Sequence, residues 1–334
     1  MGTTVSMKDV AREAGVSVMT VSRAFRANSS IGEETRKHVL EVSRRMGYVM
    51  DASASSLRAK QTAFVAALVP SLNNANFADT IAGLTEETEA QGLQLLLGAT
   101  GYRIDREAAL IADLLRHRPQ AMVLTGGSHT DEARHLLETA EIPVIETWDL
   151  PARPLGHFVG FSNARCMDPL VDHLVERGYR RIAFIGGDSA TDTRGGDRRQ
   201  GFLAALDRHG LDRDRLIGAG QAPISMSEGA GAMGALLDRL PDTEAVICVS
   251  DVAAFGALTE CQRRGMTVPD DIAIAGFGYY EIARVCLPTI TTVDPSPVDI
   301  GREAGRIVSR LLKEKSLPPQ THTITSRLVI GGTT

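Results

Sequence analysis

The stretch Lys8–Phe25 reads KDVAREAGVSVMTVSRAF. It holds two short amphipathic segments joined at Gly15. Ser6 precedes the first and Ser17 the second, where a hydroxyl can accept from the free amides of a helix start. The spacing predicts one helix from about Met7 to Ala14, with Val10, Ala11 and Ala14 on one face. Gly15 follows where a left-handed residue ends a helix. A second helix is predicted from Val18 to about Phe25. After the polar residues Asn28, Ser29 and Ser30, Gly32-Glu33-Glu34 opens a third, and two acids in its first turn suit the helix dipole. Val39, Val42 and Met46 recur at helical spacing and close a small core with Val10, Val21 and Phe25.

Two short helices around a tight glycine turn have the form of a helix-turn-helix, although a plain helical hairpin has the same spacing. The second helix of such a unit can lie in a major groove. Its exposed positions are Ser17, Val18, Met19, Thr20, Ser22 and Arg23. Hydroxyls and Arg suit phosphates, and apolar side chains suit thymine methyls. Charge agrees with this. Residues 1–60 carry ten Lys/Arg and six Asp/Glu, a net +4, whereas the whole chain is −5, leaving −9 for residues 61–334. A basic head on an acidic body points to an anionic polymer as partner of the head alone.

At 334 residues the chain is too long for one ordinary core. Its 43% apolar and 23% charged residues are an ordinary globular composition. No apolar run is long enough to cross a bilayer, and the N-terminus has no signal-type apolar region. The cysteines Cys166, Cys248, Cys261 and Cys286 lack paired spacing, so free buried thiols in the cytoplasm are expected. Residues 49–61, VMDASASSLRAKQ, are small and polar and read as a linker able to become helical.

From Thr62 the pattern changes to alternating strands and helices. The runs AFVAALVP (63–70), LQLLLGA (93–99), AMVLTGG (121–127) and PVIETW (143–148) form one series. HFVGF (157–161), RIAFIGG (181–187), AVICVS (245–250) and AIAGFG (273–278) form a second. Buried parallel strands have this composition, so the fold class is an α head plus an α/β body of two doubly wound parallel-sheet subdomains. TITTVD (289–294) and TITSRLVIG (323–331) read as the last strands, flanking a helix over 297–313 and crossing back between subdomains. Ligands of such folds bind at the carboxyl ends of strands, so the cleft between subdomains is the expected site.

The segments MKDVAREAGVSVMTVSRAF and EETRKHVLEVSRRMGY resemble the DNA-binding head of the LacI/GalR bacterial repressors, and the resemblance extends over essentially the whole chain. It implies a helix-turn-helix domain over 1–48, a hinge helix over 49–61 and an effector-binding, dimerising body over 62–334. Within the body it implies an N-terminal subdomain of about 62–161 and 293–321, and a C-terminal one of about 162–292 and 322–331. Val18 and Met19 would read bases. Ser17, Thr20, Ser22, Arg23 and Asn28 would sit among the phosphate and base-edge contacts. Leu57 stands where a hinge leucine wedges into the minor groove. The hinge departs from the family pattern: Met50-Asp51 replaces Pro-Asn, and Ser55 replaces an arginine.

The family's bodies resemble periplasmic sugar-binding proteins. Carried over by position, the expected effector contacts are Asn74, Phe77, Tyr102, Glu146, Trp148, Asp149, Arg198, Ser250, Asp251, Phe277 and Gly278. Family members that bind neutral sugars usually carry Asp where Gly278 stands. A carboxylate beside an anionic ligand is repelled by roughly 4 kcal/mol at 4 Å with an effective dielectric near 20. Loss of that Asp beside a retained Arg198 therefore fits a sugar acid. Several stretches, VPSLNNANFA, GATGY, IPVIETWD and VPDDIAIAGFG among them, look most like the gluconate-operon repressor branch. Gluconate or a close aldonate is the expected effector, with a neutral sugar or nucleoside the alternative. The remaining expectations are a homodimer on palindromic operator DNA, no catalytic residues, no metal and no cofactor. No phosphate-loop or dinucleotide fingerprint, and no Ser-His-Asp or H-E-x-x-H arrangement, stands in the chain.

Overall fold

The computed structural model describes residues 5–25, 31–50, 62–187, 192–314 and 317–334. The chain forms two compact units, Met1–Thr62 and Ala63–Thr334.

The first unit has three helices, α1 (Met7–Glu13), α2 (Val18–Ala24) and α3 (Glu33–Arg45). Ser6 forms a capping box with Asp9, and the Ser17 hydroxyl accepts from the Thr20 amide at 3.1 Å. Gly15 turns the chain at φ +65, a backbone that glycine adopts without strain. Val10, Val21, Ala24 and Val39 are fully buried, and Phe25 meets Tyr48 edge-on at 5.9 Å. This core of about seven small residues depends on its caps, because so little apolar area is buried. Asn28, Leu57 and the expected hinge helix lie outside the described residues, Val49 and Met50 apart.

The second unit carries two parallel sheets. The first takes the order β11-β5-β4-β3-β1-β2 and is built from β1 (Phe64–Val69), β2 (Gln94–Ala99), β3 (Met122–Thr125), β4 (Val144–Thr147), β5 (His157–Gly160) and β11 (Thr321–Thr323). The second runs β7-β6-β8-β9, from β6 (Ile182–Gly186), β7 (Leu216–Gly218), β8 (Ala245–Cys248) and β9 (Ala273–Ala275). A separate antiparallel pair joins β10 (Thr292–Asp294) to β12 (Arg327–Val329). The run 323–331, expected as one strand, is therefore two. Its first residue completes β11 beside β5 in the first sheet, and the rest turns back to β10. The three-residue β7 was not anticipated, since so short a segment shows no period.

Helices cover both faces of each sheet. Those used below are α4 (Ala75–Glu89), α5 (Glu107–Arg116), α6 (Asp131–Thr139), α7 (Asp168–Glu176), α8 (Thr193–Arg208), α9 (Met226–Arg239), α10 (Asp251–Arg263), α11 (Glu281–Val285) and α12 (Pro297–Lys313). α12 returns from the second sheet to lie along α4. The approach is close enough that a Cβ on Gly83 would stand 2.2 Å from the Val298 carbonyl oxygen, and one on Gly301 2.0 Å from that of Thr80. Small residues at this crossing bring the two backbones together and anchor the final crossover to the first sheet. All four cysteines are buried free thiols, and burial pushes the Cys166 and Cys261 thiols up to about 12. Among the described residues no helix is long and apolar enough to cross a membrane.

Candidate functional site

The carboxyl ends of both parallel sheets meet around a cavity of about 510 Å³. From the first sheet come Asn74 after β1, Phe77 in the first turn of α4, Tyr102 after β2 and Trp148 after β4. From the second come Arg194 and Arg198 on α8, Ser250 after β8, and Phe277 and Tyr280 after β9. Strand ends expose backbone and loops where the sheet stops, which is why open α/β folds bind there.

Aromatic rings form a continuous wall. Trp148 lies edge-on to Phe77 at 5.3 Å and to Phe161 at 5.8 Å, and Phe161 lies 6.1 Å from Phe277. The indole N–H donates to Thr80 Oγ1 at 3.1 Å, which fixes the ring. Trp148 is thus core and cleft wall at once, and it takes a left-handed backbone at φ +73.

Two guanidinium groups stand on this wall. Arg198 is 9% exposed and lies 4.2 Å over the Phe277 ring, with Nη1 donating to Asn163 Oδ1 at 2.7 Å. Its Nε is buried without a partner. Arg194, one turn earlier on α8, is equally buried and lies 5.6 Å from the Phe77 ring. Asp192 lines the same wall and caps α8, accepting from the Gly195 amide at 3.0 Å. The buried side chains of the wall therefore carry two positive charges against one negative, with Glu281 at the exposed rim. Two more carboxylates stand near these cations: Asp197 feels both guanidinium groups, and Asp149 Oδ2 and Arg194 Nη1 both approach Gly126.

Asn74 serves two roles. Its Oδ1 accepts from the Asn76 amide at 3.1 Å, capping α4, and from the Tyr280 hydroxyl at 2.7 Å. Its Nδ2 donates to the Tyr102 hydroxyl at 3.3 Å. Burial pushes both phenols up, so they stay protonated. Ser250 lines the cleft and caps α10 through the Ala253 amide at 3.3 Å.

Four expected contacts do not line this cavity. Glu146 is on the other face of β4: side chains alternate along a strand, and Ile145 takes the α4 side. It is fully buried, accepting from the Leu155 amide at 2.7 Å and meeting His129 at 3.3 Å. Asp149 ties loops together, accepting from Asn163 Nδ2 at 2.8 Å and from the Gly127 amide at 3.1 Å. Asp251 is fully buried, accepting from the Tyr280 amide at 2.8 Å and from Thr292 Oγ1 at 2.5 Å; burial pushes its carboxyl up to about 7. Gly278 has φ +123, and a Cβ there would stand 2.4 Å from the Tyr280 ring. The missing carboxylate thus has a steric cause, because Tyr280 fills the space that a side chain at 278 would need.

Arg194, Asp192 and Tyr280 are among the wall residues that the sequence reading missed. Arg194 was detectable, since it sits four residues before Arg198 and so on the same helix face. Asp192 and Tyr280 carried no such signal. In the first unit, Val18 is 42% and Met19 58% exposed at the start of α2. Arg23 is exposed, Ser22 and Thr20 are half-buried, and the Ser17 and Thr20 hydroxyls bond each other at 2.9 Å. Among the described residues no His, Cys, Asp and Glu are grouped to hold a metal.

Comparison with known proteins gives the same two parts. Residues 6–51 match the model of bacterial regulatory proteins of the lacI family, and residues 171–334 match a periplasmic binding protein-like domain. The chain is 34% identical to the HTH-type transcriptional regulator GntR of Pseudomonas aeruginosa over 93% of its own length and 90% of that protein's. It is 32% identical to the HTH-type transcriptional regulator IdnR of Escherichia coli K12, covering 92% of each. A crystal structure of a LacI family transcriptional regulator from Silicibacter pomeroyi superimposes with a TM-score of 0.77 at 42% identity, covering 81% of this chain and 98% of that one. A capped helix-turn-helix head followed by a doubly wound body with a walled cleft, over nearly the full length of these relatives, makes this chain a member of the LacI family of DNA-binding transcriptional regulators.

Proposed function

We propose that this regulator binds a palindromic operator as a homodimer in the cytoplasm, and that a six-carbon aldonate such as gluconate in the body cleft controls its operator affinity. The observation that carries the effector reading is Arg198. It is a buried guanidinium stacked on Phe277 and held by Asn163, with Nε left without a partner. A carboxylate supplies the acceptor that this donor lacks, in a charge-assisted hydrogen bond. The ring wall of Phe77, Trp148 and Phe277 also suits a neutral sugar, whose hydroxyls can accept from Arg198 but bring no charge to balance it.

In the head, α2 would lie in the major groove, with Val18 and Met19 on base edges and Ser17, Thr20, Ser22, Arg23 and Asn28 among the contacts. Leu57 would act at the centre of the operator. The effector acts by its differential affinity for the two arrangements of the body, and such coupling is typically about 1–3 kcal/mol per site. The test is anisotropy of a labelled operator duplex selected from random sequence by the protein itself. Addition of gluconate should shift operator affinity by about tenfold or more, and glucose should not; an operator affinity indifferent to every aldonate tried rules the reading out.

A further inference from the structure

We infer that Glu107 accepts the hydroxyl end of the effector, in a second, polar chamber beside the cleft. This rests on the aldonate reading above. A cavity of about 70 Å³ lies beside the main one, and Tyr102 and Arg194 line both. Its other walls include Thr100, Thr125, Ser128 and Glu107. The two compartments differ in chemistry. The main cleft is walled by aromatic rings, and the Asn74 amide there is already occupied by Tyr102, Tyr280 and its own helix. A polyol chain buried in the protein needs its hydrogen bonds to water replaced by protein groups. The smaller chamber offers five hydroxyl-bearing side chains, Thr100, Tyr102, Thr125, Ser128 and Thr193, and a carboxylate.

Glu107 begins α5 and is 7% exposed. His129 Nδ1 meets its Oε1 at 2.9 Å, and His129 Nε2 meets Glu146 Oε1 at 3.3 Å, with the imidazole fully buried. Burial alone would keep His129 neutral, but the two carboxylates outweigh it and raise its pKa to about 9. The imidazole thereby orients the Glu107 carboxylate from behind. The other oxygen, Oε2, is buried and has no partner. Native structures rarely leave a buried carboxylate oxygen unsatisfied, and such an atom calls for an account. Glu107 lines the chamber, and the terminal torsion of a glutamate is broad, so its carboxylate can adjust to a ligand there. The site then has a donor at one end, Arg198, and an acceptor at the other, Glu107, with Arg194 between them on both walls. An aldonate has the matching order, a carboxylate at one end and a hydroxymethyl group at the other.

The test is calorimetric titration of the full chain with D-gluconate and with 6-deoxy-D-gluconate, which differs only in the terminal hydroxyl. The wild type should prefer gluconate by about tenfold, the scale of a hydrogen bond to a charged group. Glu107→Gln should bring the two ligands to within about threefold by weakening gluconate alone. Ser128→Ala, a milder change in the same chamber, should reduce the preference in part and decides the matter if Glu107→Gln does not fold. An unchanged preference in the folded variants, or no preference in the wild type, overturns the role of Glu107 and leaves the aldonate reading standing. If the wild type binds neither compound, the aldonate reading falls and this inference falls with it.

Discussion

The head and the body put their polar groups to opposite uses. At the tip of α2 the hydroxyls of Ser17 and Thr20 satisfy the helix start and each other, so what the helix presents outward is Val18 and Met19. In the body cleft the aromatic groups form the wall, and a buried cation, Arg198, is left with an unmet donor. One surface offers contacts for a partner that brings its own charge. The other offers a charge for a partner that brings an acceptor. The lesson is that a residue's type does not give its role; the role depends on which of its atoms the local structure has already occupied.

The largest effect that would sharpen this comparison is at Gly278. Gly278→Asp should destabilise the body by about 3 kcal/mol, through left-handed backbone strain and a clash with Tyr280. Thermal unfolding reads this directly, and a well-folded variant that has merely lost aldonate affinity would return position 278 to the ligand. Next is Arg198→Ala, which should weaken aldonate binding by about 10- to 100-fold while leaving effector-free operator affinity within about twofold. Equal losses of both functions would break the separation between cleft and head.

The buried His129 network gives a pH signature of similar size. Its folded pKa, about 9, lies above the ordinary value of 6.5. Its contribution is therefore fully present below about pH 6.5 and is lost as pH rises through about 9. Integrated over that window it is on the order of 3 kcal/mol. The melting temperature should fall across this range in the wild type and fall less steeply in His129→Gln; parallel curves would remove His129 from the account. Smaller effects belong to the head. Ser17→Ala should cost about 1 kcal/mol of head stability through loss of the α2 cap. Met19→Ala should change base preference in selected operators and leave aldonate binding untouched, and an unaltered preference would move base reading off this residue.

The head was legible residue by residue because its rules are local. Caps at Ser6 and Ser17, the turn at Gly15 and the period of Val39, Val42 and Met46 depend only on neighbours in sequence. Most strands of the body were legible for the same reason, as was helix α12 at Pro297–Lys313, but HFVGF, read with the second series, pairs as β5 with β4 in the first sheet. The cleft was legible only in part. Asn74, Phe77, Tyr102, Trp148, Arg198, Ser250 and Phe277 line it, whereas Glu146, Asp149, Asp251 and Gly278 do not. Those four sit at strand ends as expected, but the face of a strand, the partner of a carboxylate and the clearance beside a glycine are set by residues far away in sequence. The same holds for the pairing of Glu107 with His129, which are 22 residues apart.

The most direct measurement is calorimetric titration of the purified protein with gluconate, with glucose and ribose as controls. The account predicts micromolar-range binding of gluconate, about −8 kcal/mol, with both neutral sugars silent. Tight binding of glucose or ribose with gluconate silent would contradict it, leaving the family in place and assigning Arg198 to a sugar hydroxyl instead of a carboxylate.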